Sequence, residues 1–344
     1  MIARSSRLFL LTLACLLLLG VAVIAGVALG ETRIPPSVVF QVLANKLFAA
    51  GFVLDPIDEG IVWNYRLTRA LVAASCGAGL AVSGVVLQAL LRNPLADPYL
   101  LGISAGASTG AVSVALLGLG AGMLSLSMGA FLGAVAAFGL VALLARAAGG
   151  GAISGSAQII LAGIAGSQLF NALTSFLITK SASAEQARGI MFWLLGNLSG
   201  VNWQDVLLAV PMALAGVLLV AWHTRALDAF TFGAESAASL GVPVRRVQAT
   251  LIACTALVTA VMVSIVGSIG FVGLVIPHAA RLLVGARHGR LVPVSALIGA
   301  LFLIAADVLS RTAIKGQVLP IGVVTALVGA PAFAVILVRG RRAR

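Results

Sequence analysis

Arg92-Asn93-Pro94-Leu95-Ala96-Asp97-Pro98 stands between two long apolar runs, and the chain climbs back into apolar sequence at Tyr99-Leu100-Leu101-Gly102. Each proline removes a backbone donor, and hydrocarbon offers no water to replace it. The stretch therefore reads as a tight turn at a membrane face, not as part of a lipid-facing helix. A second polar block, Asp228 to Arg246, interrupts the apolar pattern in the same way and is long enough for short helices of its own. Connections this elaborate on one side of a membrane protein point to a surface that touches something there.

Composition supports the membrane reading. Of 344 residues, 61% are hydrophobic and 9% charged, and mean hydropathy is +1.14. A soluble domain carries about 25% charged residues. The net charge of +12 does not indicate nucleic acid, because the basic residues sit singly between apolar runs instead of forming a stripe with aromatics. Cys15, Cys76 and Cys254 lie inside apolar runs as small hydrophobes, and His223, His278 and His288 lack metal-ligand spacing. The start, with Arg4 and Arg7 ahead of Leu8 to Leu29, is longer than a signal-peptide core of about 7–15 residues. It reads as an uncleaved first span.

A hydrocarbon core of about 30 Å takes roughly 20 helical residues. About ten runs approach this length: 8–29, 67–91, 99–118, 123–146, 157–178, 203–223, 247–267, 272–286, 291–313 and 320–339. The eighth is short, and Pro277 and His278 are expected to interrupt it. Pro35 to Ala50 reads as an interfacial helix with Val38, Val39, Val42, Leu43 and Leu47 on one face. Ala184 to Leu198 reads as a short helix outside the regular spans. Most of the 22 Lys+Arg fall on the side of the N-terminus, whereas Glu31, Asp55, Asp58, Glu59, Glu185, Asp205 and Asp307 fall on the other. The positive-inside bias puts both termini in the cytoplasm, as an even number of spans requires.

Glycines add packing signals. Gly102, Gly106 and Gly110 recur every four positions, which lets a neighbouring helix approach closely; contact within the chain is expected ahead of a dimer contact. Gly267, Gly270 and Gly273 recur every three around Ile269 and Phe271, a spacing that suits a broken segment.

Pumping needs an energy source. Ion-driven carriers place ionisable groups near the bilayer midplane, but the spans here are nearly bare. Asp307 lies in the outer half of the ninth span, four residues before Arg311, where an intrahelical ion pair accounts for it. A phosphate-cradling loop needs Gly-Lys followed by Ser or Thr, and none of Lys46, Lys180 and Lys315 follows a glycine. The work would come from a partner, pushing on the Asp228–Arg246 block. An ion-coupled secondary transporter is the alternative.

The stretch Asn-Pro-Leu-Ala-Asp-Pro-Tyr-Leu-Leu-Gly-Ile-Ser-Ala-Gly-Ala at 93–107 resembles the signature of the FecCD-type permeases, the membrane subunits of type II ABC importers for iron–siderophores, haem and cobalamin. Phe232 to Val242, Gly270 to His278, and Leu319 to Thr325 with Gly329-Ala330-Pro331 match further stretches, in unbroken order from about residue 60 to 339. The resemblance implies an all-α polytopic membrane protein of BtuC-like permease fold, one transmembrane domain over 1–344 with a cytoplasmic coupling loop at about 224–246. It implies a homodimer in the bacterial inner membrane with the pathway on its two-fold axis, two ATP-binding subunits below and a substrate-binding protein above. ATP and Mg would be held by the partner ATPase; this chain would be no enzyme and would bind no cofactor or metal.

Residue by residue, the resemblance implies ATPase coupling through Gly233, Glu235, Ala237, Leu240 and Gly241, where small residues allow close docking and Glu235 offers a charge. Arg66, Arg69 and Arg311 match arginines that hold glutamates of the binding protein; positive charge on the outer face also runs against the orientation rule. The cytoplasmic gate would be formed by Asn93 and Leu95 in the first turn and by Ser156 and Ala157 where the glycine-rich turn 149–156 meets the fifth span. Gln168, Asn171, Ser175 and Asn197 would line the pathway as weakly polar groups. Among metal chelates, ferric siderophore is expected ahead of haem and cobalamin.

Overall fold

The computed structural model describes residues 2–120, 122–149 and 156–342, the side chains of 2–12, 156, 337 and 339–342 aside. The chain opens with α1 (Ile2–Ala28), α2 (Pro36–Phe48) and the short α3 (Pro56–Gly60). A π-helical turn, Ile61–Leu67, then leads straight into α4 (Thr68–Leu90). After the polar turn come a 3₁₀ turn (Pro98–Leu101), α5 (Ile103–Leu117), α6 (Leu126–Ala147), α7 (Ser156–Ser181) and α8 (Ala184–Leu194). α9 (Trp203–Trp222) precedes two short helices, α10 (Thr224–Phe230) and α11 (Ala234–Ser239). The remainder is α12 (Val244–Val266), α13 (Val272–Val284), α14 (His288–Thr312) and α15 (Ile321–Arg342).

Six helical stretches are long and apolar enough to cross a membrane: Pro56–Leu90, α6, α7, α9, α12 and α14. Four further apolar helices are shorter where described, at Leu13–Ala28, Ile103–Leu117, Val272–Val284 and Ile321–Ile336. Local chemistry sets several ends. Asn202 caps α9 by accepting from the amides of Gln204 and Asp205, and Asp205 answers by accepting from the Asn202 amide. Ser183 and Gln186 make the same reciprocal cap on α8. The two short helices expected from the sequence outside the spans, α2 and α8, are present.

α4 is the axis of the bundle, buried along nearly its whole length with α9, α12, α13 and α14 packed around it. Glycine makes this possible. A Cβ on Gly77 would stand 2.0 Å from the Gly299 carbonyl oxygen, and one on Gly84 would stand 1.9 Å from that of Gly273. The every-four glycines of α5 do the same against α6, where a Cβ on Gly106 would meet the Gly133 oxygen at 2.3 Å. That contact lies within the chain, as expected. The break between α12 and α13 also falls where the glycine spacing put it, with Gly267 and Phe271 both at positive φ.

Pro277 corrects one expectation. It does not interrupt α13, which runs through it. Proline deprives the carbonyl four residues back of its helical donor, and that carbonyl belongs to Gly273. The side-chain amide of Gln88 on α4 donates to it at 3.2 Å. Gln88 is buried and also accepts from Arg281 Nη2 at 3.1 Å. Gln88→Leu, which keeps the bulk, should therefore cost about 1–2 kcal/mol by orphaning buried polar groups. Urea or thermal unfolding of the detergent-solubilised chain reads this out; unchanged stability would mean that α13 tolerates Pro277 unaided.

Candidate functional site: the polar turn, the 224–246 loop and the buried arginines

The polar turn is held from within. The Asn93 side-chain oxygen accepts from the Leu95 amide at 2.9 Å, and the Asn93 amide donates to the Gln88 carbonyl at 3.2 Å. Arg92 takes a positive φ, which closes α4 sharply. Ala96 and Pro98 are buried, while Leu95 is 50% exposed at the tip. Asp97 accepts from the Tyr99 amide at 2.9 Å; desolvation pushes its carboxyl up to about 6, and that hydrogen bond opposes the shift. Ala157 is exposed at the start of α7. The side chain of Ser156 and turn residues 150–155 lie outside the described residues.

The loop at 224–246 divides into anchors and a presented surface. Gly233 and Ala237 are buried and do not face a partner, which corrects their expected role. Gly233 turns the chain at φ 106°, close to Arg92, whose Nη1 lies 3.4 Å from where a Cβ would sit. Asp228 ties the loop to α14 through the amide of His288 at 2.9 Å and its Nδ1 at 2.7 Å. The outward face consists of Glu235, Leu240 (71% exposed) and Gly241. Phe232, 76% exposed, joins them. The sequence did not single it out, because Phe230 stands two residues before it in the same block and is 2% exposed. Through Arg92 and Gly233, the loop touches the polar turn.

On α7, Gln168, Asn171 and Ser175 share the exposed face, at helical spacing among Leu161, Ile164 and Phe176. Asn197 does not join them. It is half-buried in the α8–α9 connection, where its side chain accepts from the Ser199 amide at 2.8 Å and its own amide donates to the Val266 carbonyl at 2.8 Å.

The largest correction concerns Arg66, Arg69 and Arg311. They are 2%, 0% and 2% exposed and cannot present charge to a docking protein in this structure. Asp307, 1% exposed, accepts from Arg69 Nε at 3.0 Å and Nη2 at 2.6 Å. Its other oxygen stands 3.1 Å from Arg311 Nη2, a charge contact without hydrogen-bond geometry. Arg69 also reaches the Tyr65 hydroxyl at 2.6 Å and Ser199 at 3.1 Å. Arg66 donates to the carbonyls of Val27, Ala28 and Thr32, and Arg311 to that of Gly26. Those carbonyls are the C-terminal end of α1 and its exit, the negative pole of a helix. The three cations are thus neutralised internally, by one carboxylate and one helix end.

The chain matches the FecCD transport family over residues 16–339. It belongs to that family. An ABC transporter permease protein of Bacillus subtilis, YvrB, is 40% identical over 331 residues, covering 94% of this chain and 92% of that one. The cobalamin import system permease protein BtuC of Halobacterium salinarum is 41% identical, with 85% and 77% covered. A solved structure of a metal-chelate type ABC transporter in an inward-facing conformation superposes with a TM-score of 0.80 at 31% identity, covering 95% of this chain and 98% of that one. As a FecCD permease, the chain has its matched region spanning α1 to α15, so the turn, the coupling loop and the arginine cluster all lie inside it.

Proposed function

We propose that this FecCD protein is the permease subunit of an ATP-driven importer for a metal chelate, working by alternating access. The observation that carries the reading is the loop at 224–246, which projects Phe232, Glu235 and Leu240 from a family-matched bundle while its anchors touch the polar turn. A separate ATPase with its ATP and Mg would bind there, on the cytoplasmic side with both termini. The permease would be a homodimer in a bacterial inner membrane of about ten spans per subunit, met on its outer face by a binding protein. Motion of the loop would pass through Gly233 and Arg92 to Asn93 and Leu95, the cytoplasmic gate, with Ala157 and Ser156 opposite. Gln168, Asn171 and Ser175 would line the pathway from the exposed face of α7.

Among chelates, the cobalamin permeases at 37–41% identity move the preference from ferric siderophore to cobalamin, with haem behind. Proteoliposomes holding permease, ATPase and binding protein test both levels. Cobalamin uptake should require ATP; uptake that survives ATP depletion but collapses with the ion gradient would establish an ion-coupled carrier instead. Uptake of a ferric siderophore or haem, and not of cobalamin, would move the substrate and leave the mechanism.

Coupling has its own expected result. Glu235→Arg and Leu240→Asp change exposed side chains, so folding should be intact. Each should weaken ATPase binding by about tenfold, equivalent to roughly 1.4 kcal/mol, and lower ATP-driven uptake in step. ATPase pull-down with both variants at wild-type level would remove this loop as the coupling surface.

A further inference from the structure

A cavity of about 630 Å³ opens between α6, the start of α7 and α12, within the range of about 300–1,000 Å³ typical of small-molecule sites. Two of its lining residues are arginines, Arg146 in the last turn of α6 and Arg245 in the first turn of α12. Among the described residues, no acid lies within ion-pair distance of either. The rest of the wall is apolar, including Phe138, Val141, Ala142, Ile159 and Ile252. Phe138 lies eight residues before Arg146 along α6, about 12 Å at 1.5 Å per residue. Ile252 lies seven residues beyond Arg245 along α12, about 10 Å on the same rise. The cavity therefore has a cationic end beside the polar loops and an apolar length running into the bundle.

We infer that this cavity is a binding site for an anionic phospholipid, with the phosphate group held by Arg146 and Arg245 and an acyl chain lying along Phe138, Val141 and Ile252. Charge selects the lipid. A zwitterionic headgroup brings its own cation to the two arginines, whereas phosphatidylglycerol brings net negative charge, and basic pockets between membrane helices favour such headgroups. Packing selects the depth, because unfilled apolar wall beside lipid tails forfeits contacts that a chain supplies. The site joins α6 to α12, the helix that follows the coupling loop. Its assignment to the inner leaflet rests on the orientation proposed above; the binding itself does not.

The test is native mass spectrometry of the purified full chain titrated with phosphatidylglycerol and phosphatidylcholine in detergent, where both faces are accessible. Phosphatidylglycerol should be retained about tenfold better, a difference of roughly 1.4 kcal/mol. Arg146→Gln with Arg245→Gln should erase that preference. Ala142→Phe, which fills the apolar wall, should weaken retention with both arginines in place. Equal retention of the two lipids by the wild type would overturn the site. Phosphatidylglycerol retention unchanged by Ala142→Phe would reduce it to surface attraction and overturn the cavity. A photoreactive phosphatidylglycerol on the unaltered chain should label peptides of α6 and α12, and labelling elsewhere would overturn it even if the variants fail to fold. Loss of ATPase binding by the double variant, with lipid retention intact, would assign the arginines to the protein interface instead. Orientation is read separately, by impermeant thiol labelling of Arg287→Cys in sealed vesicles; a wrong orientation moves the leaflet and leaves the site.

Discussion

Asparagine in place of Asp307 should cost about 3–5 kcal/mol, the magnitude expected when one partner of a buried ion pair is removed. Asp307 is the sole carboxylate in contact with Arg69 and Arg311 among the described residues. Asparagine keeps the size and an acceptor oxygen, so the loss reports charge and not a cavity. Arg69 would retain Tyr65 and Ser199, but neither carries charge to balance it. Arg311 would be worse placed, since its Nε and Nη1 already have no partner and only the α1 carbonyl of Gly26 would remain. The thermal midpoint and the monodisperse yield in detergent measure the effect. Removing a cation together with the acid, as in Asp307→Asn with Arg311→Met, should restore part of the stability, because a buried pair replaced by apolar bulk is often neutral or better. Asp307→Asn as stable as the wild type would show that water reaches the cluster and that the arginines are available to an outside partner after all.

What the sequence made legible follows from how far apart the interacting residues lie. Six of the apolar runs, the short helices α2 and α8, and the break at 267–271 are local patterns that stand where their patterns put them, while four further runs form shorter apolar helices where described. The spacing of Gly102, Gly106 and Gly110 announced a close helix contact, although only the folded chain identifies Gly129 and Gly133 as the other side. Pro277 misled because its rescue is remote: Gln88, 185 residues away, supplies the donor that proline removes. The Asp307–Arg311 contact, four residues apart, was legible, but the other partners of the three arginines were not, for the same reason. Asp307 is 238 residues from Arg69, and the α1 carbonyls that hold Arg66 and Arg311 are backbone groups with no signature in sequence. At 224–246, residue type marked the loop, but burial sorted it into anchors, Gly233 and Ala237, and a presented face, Glu235 and Leu240.

Tyr99→Phe should cost about 1–3 kcal/mol for each of the two backbone groups it orphans. The Tyr99 hydroxyl accepts from the Ile269 amide at 2.9 Å and donates to the Ile269 carbonyl at 3.0 Å. Ile269 is 1% exposed and sits in the non-helical stretch between α12 and α13. Within a bilayer-spanning bundle, irregular backbone persists only where protein groups satisfy it, and one phenol oxygen does so here for both polar groups of a residue. Phenylalanine fills the same space, so packing is held constant and the hydrogen bonds alone are removed. Ser104→Ala, which breaks the single Ser104–Ser268 contact at 2.8 Å, should cost less and serves as the comparison. Beyond global stability, the break itself should loosen: Ser268→Cys in the Tyr99→Phe background should react faster with a small thiol reagent than in the parent. A Tyr99→Phe protein within about 0.5 kcal/mol of wild type, the range of inconsequential surface changes, with unaltered reactivity at residue 268, would mean that other groups hold the break. If both readouts move, the polar turn's own tyrosine pins the discontinuity between α12 and α13, and movement of the Asn93–Leu95 tip is mechanically linked to α13.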